Sequence, residues 1–247
     1  MASSDLKGKT AVITGASSGI GEATARAFAD LGADVALLAR RADRVEALAK
    51  ELSDTGVKAI AITADVTDAE SMRAAAKTVA DELGGVDILL NNAGQMLLAP
   101  FSAEQAEETR AMLNTNLLGA MTTLEVFLDA LKDGGGDLVN ISSVAGRTAK
   151  PGSSVYNATK WGINGWSEAL RQELQPDVRV IVIEPGAIAT ELTDHITHEG
   201  SKQGAEKMYE DSAIPVEEVS EVIAFAVTRP QHTSLSEIII RPTKQAL

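Results

Sequence analysis

Short apolar runs alternate along the chain with longer stretches in which apolar and polar positions follow a helical period. The short runs are rich in Val, Ile and Leu with little alternation, which is typical of strands buried on both faces of a parallel sheet. They are Thr10–Thr14, Val35–Ala39, Ala59–Thr63, Ile88–Asn91, Leu138–Ser142, Val180–Ile183 and Ile238–Ile240. Between them, stretches dominated by Ala, Glu, Lys, Arg and Leu predict helices. These stretches are Glu22–Leu31, Arg44–Leu52, Glu70–Leu83, Ala103–Leu131, Val155–Leu174 and Val216–Val227.

This order of elements predicts an α/β fold: a Rossmann-like, doubly wound parallel sheet of about seven strands with helices on both faces. Ligands of such sheets bind outside the carboxyl ends of the strands. No linker rich in Pro, Gly and Ser divides the chain, and no repeat is visible, so residues 1–247 are expected to form a single domain. The polar segment 190–213 contains no predicted strand, and we expect it to form a substrate lid.

Composition narrows the classes of function. The 22 Lys and Arg against 35 Asp and Glu give a net charge of -13, and with 3% aromatic residues this disfavours a nucleic-acid binder. The lack of cysteine excludes a thiolate nucleophile and Cys-ligated zinc, and we expect no metal at the HxxH of His195 and His198. No signal peptide and no run of 18 apolar residues are visible, so we expect a cytoplasmic protein without membrane contact.

A glycine-rich loop, TGASSGIG at 14–21, follows the first predicted strand and opens the first helix. Glycines permit a tight turn and a close approach of backbone N–H groups to an oxyanion, which the helix N-terminus also favours. The spacing is GxxxGxG rather than GxGxxG, and the alternative is an ordinary strand-to-helix turn. Its place at the first βα junction favours a pyrophosphate site.

Six motifs in this order make the chain resemble the classical short-chain dehydrogenase/reductase family from end to end. They are the glycine loop, NNAG at 91–94, NTNLLG at 114–119, ISS at 141–143, YNATK at 156–160 and EPGAIAT at 184–190. Within the family, the chain looks most like the subgroup that includes clavulanic acid, amino-alcohol and 3-hydroxy acid dehydrogenases. The resemblance implies hydride transfer between a small-molecule alcohol and its carbonyl compound. It also implies a homotetramer assembled through the two long helices and the last strand.

The YxxxK motif places Tyr156 and Lys160 on one face of a helix. The lysine ammonium is expected to lower the pKa of the phenol from about 10, which would make Tyr156 a general acid/base. Ser143 lies at a strand end and is expected to position the substrate oxygen; Ser142 is the neighbouring alternative, pointing to the opposite face. By resemblance, Asn116 anchors a water that links Lys160 to solvent, and the alternative is a purely structural asparagine.

The segment VALLARRADR at 35–44 places three arginines just after the second strand. This strand end meets the adenosine ribose in a Rossmann unit, and NAD enzymes carry an acidic residue there. Here Ala39 is followed by Arg40 and Arg41, whose guanidinium groups suit a 2′-phosphate. We therefore predict NADP(H) as the cofactor, with Arg44 expected to be only a solvated helix residue.

The resemblance and these arguments together give two sets of binding residues. Cofactor-binding residues are expected at Gly15, Ser17, Ser18, Gly19, Ile20, Gly21, Arg40, Arg41, Asp65, Val66, Asn92, Ala93, Gly94, Tyr156, Lys160, Pro185, Gly186, Ile188 and Thr190. Substrate residues are expected at Gln95, Met96, Arg147, Met208 and Tyr209. The rival interpretation is a dinucleotide-sensing binding protein without turnover. Such a protein is expected to lack Ser143, Tyr156 or Lys160, and all three are present.

Overall fold

A computed structural model describes residues 5–245 and contains one seven-stranded sheet. Its strands are β1 (Thr10–Thr14), β2 (Asp34–Ala39), β3 (Ala59–Thr63), β4 (Ile88–Asn91), β5 (Asp137–Ile141), β6 (Arg179–Pro185) and β7 (Glu237–Ile240). Neighbouring strands are parallel, in the order β3-β2-β1-β4-β5-β6-β7. The order reverses between β1 and β4, where a doubly wound sheet opens a crevice for ligands. The predicted fold class is confirmed.

Helices cover both faces of the sheet. They are α1 (Gly19–Asp30), α2 (Ala42–Ser53), α3 (Ala69–Leu83), α4 (Ala106–Leu113), α5 (Gly119–Asp133), α6 (Ser154–Leu174), α7 (Glu199–Ser212) and α8 (Val216–Val227). The helix predicted over 103–131 is interrupted, because a 3-10 turn precedes α4 and a π-helical turn, Asn114–Leu118, joins α4 to α5. Among residues 5–245, no helix has the combination of length and apolar character needed to cross a bilayer.

Two apolar cores lie on opposite sides of the sheet. Ala11 and Ile13 of β1 belong to the core under α1, α2 and α8, whereas Val12 belongs to the core under α3, α5 and α6. Phe28 on one side and Phe127 on the other are among the largest fully buried side chains. Because both faces are covered, the strands read as nearly continuous apolar runs rather than as alternating ones.

The segment 190–213 leaves the sheet after β6 and returns before α8. It begins with a 3-10 turn, Glu191–Thr193, and continues into α7, where Ala205 is the buried position. The base of the excursion is closed by a parallel bridge between Ile188 and Ile214. The segment therefore projects from a fixed base at the carboxyl edge of the sheet.

Candidate active site

A cavity of about 620 Å³ runs along the carboxyl edge of the sheet, from the end of β2 to α6. All the predicted cofactor-binding residues line it except Gly21, as do Gln95, Met96, Met208 and Tyr209. Gly21 instead packs beneath the glycine loop, where a Cβ would lie 2.6 Å from the carbonyl oxygen of Gly15. The structure thus brings most of the predicted site residues to one cleft.

The glycine loop is fastened to the end of β4. Gly15 has a φ of 66°, and a Cβ on it would lie 2.9 Å from the Cα of Ala93, so only glycine permits this approach. Asn92 Nδ2 donates to the carbonyl oxygens of Thr14 at 3.0 Å and Gly15 at 3.3 Å. The loop and the first turn of α1 form a backbone cradle that fits a pyrophosphate.

Arg41 connects the end of β2 to this loop. Its Nε donates to Ser17 Oγ at 3.0 Å, and its Nη2 donates to Ser18 Oγ at 2.6 Å. Arg40 is exposed at the rim of the same cavity. A guanidinium beside two hydroxyl groups is a donor set that suits a phosphate ester.

Glu191, the first residue of the segment's 3-10 turn, also contacts these arginines. Arg41 Nη1 donates to Glu191 Oε2 at 2.9 Å, and Arg44 Nη1 donates to Oε1 at 2.8 Å and Oε2 at 3.1 Å. The hydrogen bonds from Arg41 and Arg44 lower the pKa of Glu191 to about 2. The expectation that Arg44 is merely solvated is therefore wrong, because it belongs to this three-residue cluster.

At the other end of the cavity, Tyr156 and Lys160 face the end of β5 from α6. Each residue is 7% exposed. Lys160 Nζ donates to the carbonyl oxygen of Ile141 at 2.9 Å and lies 5.7 Å from the centroid of the Tyr156 ring. Ser143 lines the same end of the cavity and acts on the phenol to lower its pKa. A proton carrier, a cation and a hydroxyl therefore meet in a nearly dry site.

Burial dominates the acid–base properties of this pair. It raises the pKa of Tyr156 to about 12, while Ser143 acts in the lowering direction. This is opposite to the expected fall, because desolvation of the phenolate outweighs the effect that favours its charged form. Burial also lowers the pKa of Lys160 to about 8. At neutral pH the phenol is therefore protonated and the lysine charged.

The two serines after β5 do different things. Ser142 is 3% exposed, and its hydroxyl donates to the carbonyl oxygen of Lys160 at 3.3 Å. Ser143 is more exposed; its Oγ accepts from the N–H of Ala145 at 3.1 Å and donates to the carbonyl oxygen of Pro185 at 3.4 Å. Strand alternation directs the two hydroxyls to opposite sides, and the one at Ser143 meets Tyr156.

Asn116 lies behind the cavity rather than on its wall, in the π-helical turn, and is 3% exposed. Its Oδ1 accepts from the N–H of Gln95, and its Nδ2 donates to the carbonyl oxygen of the same residue, both at 2.8 Å. The side chain therefore fixes the loop after β4 against the helix. Single π turns in α-helices frequently mark functional sites.

Arg147 is the one predicted substrate residue that does not line the cavity. Its Nε donates to both carboxylate oxygens of Glu184 at 2.9 Å, and its Nη2 contacts Glu237. Glu184 is fully buried and also accepts from Asn164 Nδ2 at 2.7 Å. Because a buried carboxylate needs a paired cation, Arg147 is committed to Glu184, and its assignment to the substrate is corrected.

The wall of the cavity beside Tyr156 is mainly apolar. Met96, Met112, Ile196 and Ala205 form a buried cluster with that tyrosine. Sequence reasoning missed further lining residues, both aliphatic ones such as Leu98 and Leu192 and polar ones such as Thr148, Lys150 and Asn157.

The two histidines of the HxxH motif have separate environments. His195 lines the cavity, whereas His198 Nδ1 accepts from the N–H of Ser201 at 3.1 Å and caps α7. Within residues 5–245, no cluster of three or more His, Cys, Asp or Glu side chains is arranged to hold a metal ion. His198 therefore has a structural role at a helix start.

A model of the short chain dehydrogenase family matches residues 9–201. The chain belongs to this family. An uncharacterized oxidoreductase of Staphylococcus saprophyticus is 36% identical to this short-chain dehydrogenase over 247 residues, covering 98% of this chain and 99% of the relative. The protein is thus an enzyme of the oxidoreductase class.

Two solved structures resemble the short-chain dehydrogenase over nearly its whole length. One is an alcohol dehydrogenase from the archaeon Thermococcus sibiricus, complexed with 5-hydroxy-NADP, with a TM-score of 0.88 and 34% identity over 97% of this chain and 98% of that one. The other is the closed form of a serine dehydrogenase complexed with NADP+, with a TM-score of 0.88 and 30% identity over 96% of each chain.

Proposed function

We propose that this short-chain dehydrogenase uses NADP(H) to interconvert a small-molecule alcohol and its ketone or aldehyde, with Tyr156 as the general acid/base. The observation that carries this proposal is that the buried Tyr156 and Lys160 meet Ser143 at one end of a cavity whose other end holds Arg41. A binding protein without turnover has no need to bury a lysine beside a tyrosine.

The cofactor supplies or accepts the hydride, and the protein supplies position and proton transfer. Ser143 hydrogen-bonds the substrate oxygen and holds it beside the phenol. In reduction Tyr156 donates its proton to that oxygen, and in oxidation it accepts the proton of the hydroxyl. Lys160 stabilises the phenolate as its charge develops. After reduction Tyr156 regains its proton by way of Lys160, which is reprotonated from solvent through a water that Asn116 anchors.

The preference for NADP(H) rests on the residues at the end of β2. A 2′-phosphate carries a charge of about -1.5 to -2, and Arg40, Arg41 and the serines of the glycine loop are its natural donors. One charged hydrogen bond contributes roughly 1.5–3 kcal/mol. We therefore expect kcat/KM to favour NADPH over NADH by at least about tenfold. The two similar structures described above were solved with NADP+ or a derivative of it.

The segment 190–213 is proposed to be the lid of the substrate site. It carries Met208 and Tyr209 to the apolar wall, and its base is fixed at Ile188 and Ile214. A closed lid would exclude water from the reacting atoms. The enzyme is further proposed to be a homotetramer, because apolar side chains stand exposed on the two surfaces through which we expect it to assemble.

The test is the Tyr156→Phe variant, assayed by loss of NADPH absorbance across a panel of aldehydes and ketones. Removal of the proton carrier should lower kcat/KM by about 10²- to 10⁴-fold. The affinity for NADPH, measured by fluorescence titration, should change less than about twofold, since the ring remains in place.

Tyr209→Phe is a matched control, because it removes the same hydroxyl from the other tyrosine of the cavity. It should retain kcat within a few-fold of the unmodified enzyme. Near-native turnover by Tyr156→Phe would contradict the assigned role. An unmodified protein that binds NADPH but reduces nothing in the panel would favour the dinucleotide-sensing alternative.

A further inference from the structure

Glu191 links two parts of the molecule that are distant along the chain. It is 150 positions from Arg41, and its carboxylate is shared between that residue and Arg44. Asp43 and Glu22 also act electrostatically on Arg44, so further negative charge is close by. The positive charge at the end of β2 is thus partly neutralised by a residue of the lid segment.

The carboxylate binds the one guanidinium nitrogen of Arg41 that neither Ser17 nor Ser18 accepts from. Nε and Nη2 are engaged by Ser17 and Ser18, and Nη1 is the nitrogen given to Glu191. A 2′-phosphate on the same guanidinium would compete with the carboxylate for this donor, and the two negative charges would repel each other. Exposed ion pairs are individually weak, so a phosphate dianion with several donors can displace one.

Displacement of Glu191 would act directly on the start of the lid. Thr190 is packed against the glycine loop, where a Cβ on Gly19 would lie 3.1 Å from Thr190 Cγ2. The 3-10 turn that begins at Glu191 follows at once, and Leu192 lines the cavity. Glu191 therefore lies between Thr190, which is held against the glycine loop, and Leu192, which lines the cavity.

We propose that Glu191 is a carboxylate latch and a cofactor-specificity residue: it holds Arg41 and Arg44 until a 2′-phosphate displaces it, and its release frees the start of the lid. The latch rests on the proposed use of NADP(H). It makes the enzyme sense the 2′-phosphate at a point remote from the reacting atoms. It also costs affinity for NADP(H), because the arginines must first give up a partner.

The binding test uses 2′,5′-ADP and 5′-AMP, which differ in the 2′-phosphate and lack the nicotinamide. Calorimetric titration compares the unmodified protein with Glu191→Gln. The substitution is isosteric, and the side chain of Glu191 is half-exposed. Glu191→Gln should bind 2′,5′-ADP about three- to tenfold more tightly and leave 5′-AMP unchanged. The control is Glu199→Gln, since its carboxylate lies on the same segment and accepts from Gln203. It should change neither affinity.

The outcomes separate the latch from the proposed function. If the unmodified protein binds 2′,5′-ADP no better than 5′-AMP, the preference for NADP(H) fails. If that preference is present but Glu191→Gln binds 2′,5′-ADP equally or more weakly, the latch alone is overturned, and Glu191 instead orients the arginines for the phosphate. Thermal unfolding of each variant checks that the fold is intact.

Hydrogen exchange tests the link to the lid. In the unmodified protein, 2′,5′-ADP should accelerate exchange at residues 191–199, whereas 5′-AMP should leave it unchanged. Glu191→Gln should exchange rapidly there before any nucleotide is added. Because neither fragment carries the nicotinamide, the response cannot come from the catalytic end of the cavity. Equal protection of this stretch with both nucleotides would overturn the coupling to the lid.

Discussion

Lys160 is an ionisable residue with only 7% of its surface exposed, so its charged form loses most of its hydration. Burial disfavours the charged form of a lysine, and it lowers the pKa of Lys160 to about 8. The carbonyl oxygen of Ile141 accepts one hydrogen bond from the Lys160 ammonium. A pKa near 8 leaves Lys160 mainly charged at neutral pH, and it leads us to expect activity that is sensitive to alkaline pH.

We expect kcat/KM for carbonyl reduction to be level at neutral pH and to fall above an apparent pKa near 8. The sign follows from the direction of the shift: Lys160 is charged below about pH 8 and loses its proton as the pH rises through that value. Without the ammonium, the phenolate that forms when Tyr156 gives up its proton is less stable. The measurement is a pH–rate profile at saturating NADPH.

Lys160→Arg is the informative variant for this profile. Arginine stays charged throughout the accessible range, so the alkaline fall should move upward even if kcat is lower. An unmodified enzyme with a flat profile to pH 10 would contradict the assignment of the titration to the Tyr156–Lys160 pair.

The residues that sequence reasoning placed wrongly are those with distant partners. Arg147 had the charge expected of a substrate residue, but its partners Glu184 and Glu237 lie 37 and 90 positions away. No local sequence pattern predicts the contact between Arg41 and Glu191 either, since the two residues are 150 positions apart. The catalytic set could be proposed because YxxxK spacing on a helix fixes a shared face, whereas the buried pairs depend on how the sheet is assembled.

At the scale of elements, β5 and β6 are joined by a buried ion pair at the end of the sheet remote from the cavity. Arg179 Nε and Nη2 donate to the two carboxylate oxygens of Asp137 at 2.8 and 2.7 Å, and both side chains are less than a tenth exposed. The remaining donors bind backbone carbonyl oxygens of Val227, Arg229, Pro230 and Thr233. Burial raises the pKa of Asp137, and Arg179 opposes this rise.

Arg179→Met should lower the free energy of unfolding by about 3–5 kcal/mol, because it leaves a buried carboxylate without its cation. The measurement is urea unfolding at one fixed protein concentration, followed by tryptophan fluorescence. The double variant Asp137→Leu/Arg179→Met should lose less free energy of unfolding than Arg179→Met alone, since it leaves no buried charge unpaired. A larger loss in the double variant would show that Asp137 stabilises the fold through contacts other than its ion pair with Arg179.

The strands were predictable and one helix was not, for a physical reason. Val, Ile and Leu runs identify strands of a sheet covered on both faces, and all seven were found with both ends within two residues of the predicted ones. In α7 the buried position is Ala205, so no apolar stripe marks the helix. The π turn at Asn114–Leu118 was not predicted either, since the bonds between Asn116 and the backbone of Gln95 join residues 21 positions apart.

At the scale of the whole molecule, large apolar side chains are exposed on two surfaces despite the net charge of -13. Leu118 and Trp161 are each 53% exposed on the side of α5 and α6, where the packing of Gly162 against Leu117 brings their elements together. Phe225 of α8 is 52% exposed and Ile239 of the edge strand β7 is 44% exposed. Exposed apolar side chains of this size are expected to be buried against other copies of the same chain.

We expect light scattering at micromolar concentration to give about four times the subunit mass of 25.8 kDa, since two different self-complementary surfaces generate a tetramer. Trp161→Glu should reduce the assembly to dimers, because a desolvated carboxylate in a packed apolar interface is costly. Phe225→Glu should do the same through the other surface, and the double variant should be a monomer. Thr78→Glu adds the same charge on the exposed side of α3 and should leave the mass unchanged. A monomeric mass for the unmodified protein would refute the tetramer, and dissociation by Thr78→Glu would mean that added charge alone, rather than a specific surface, separates the subunits.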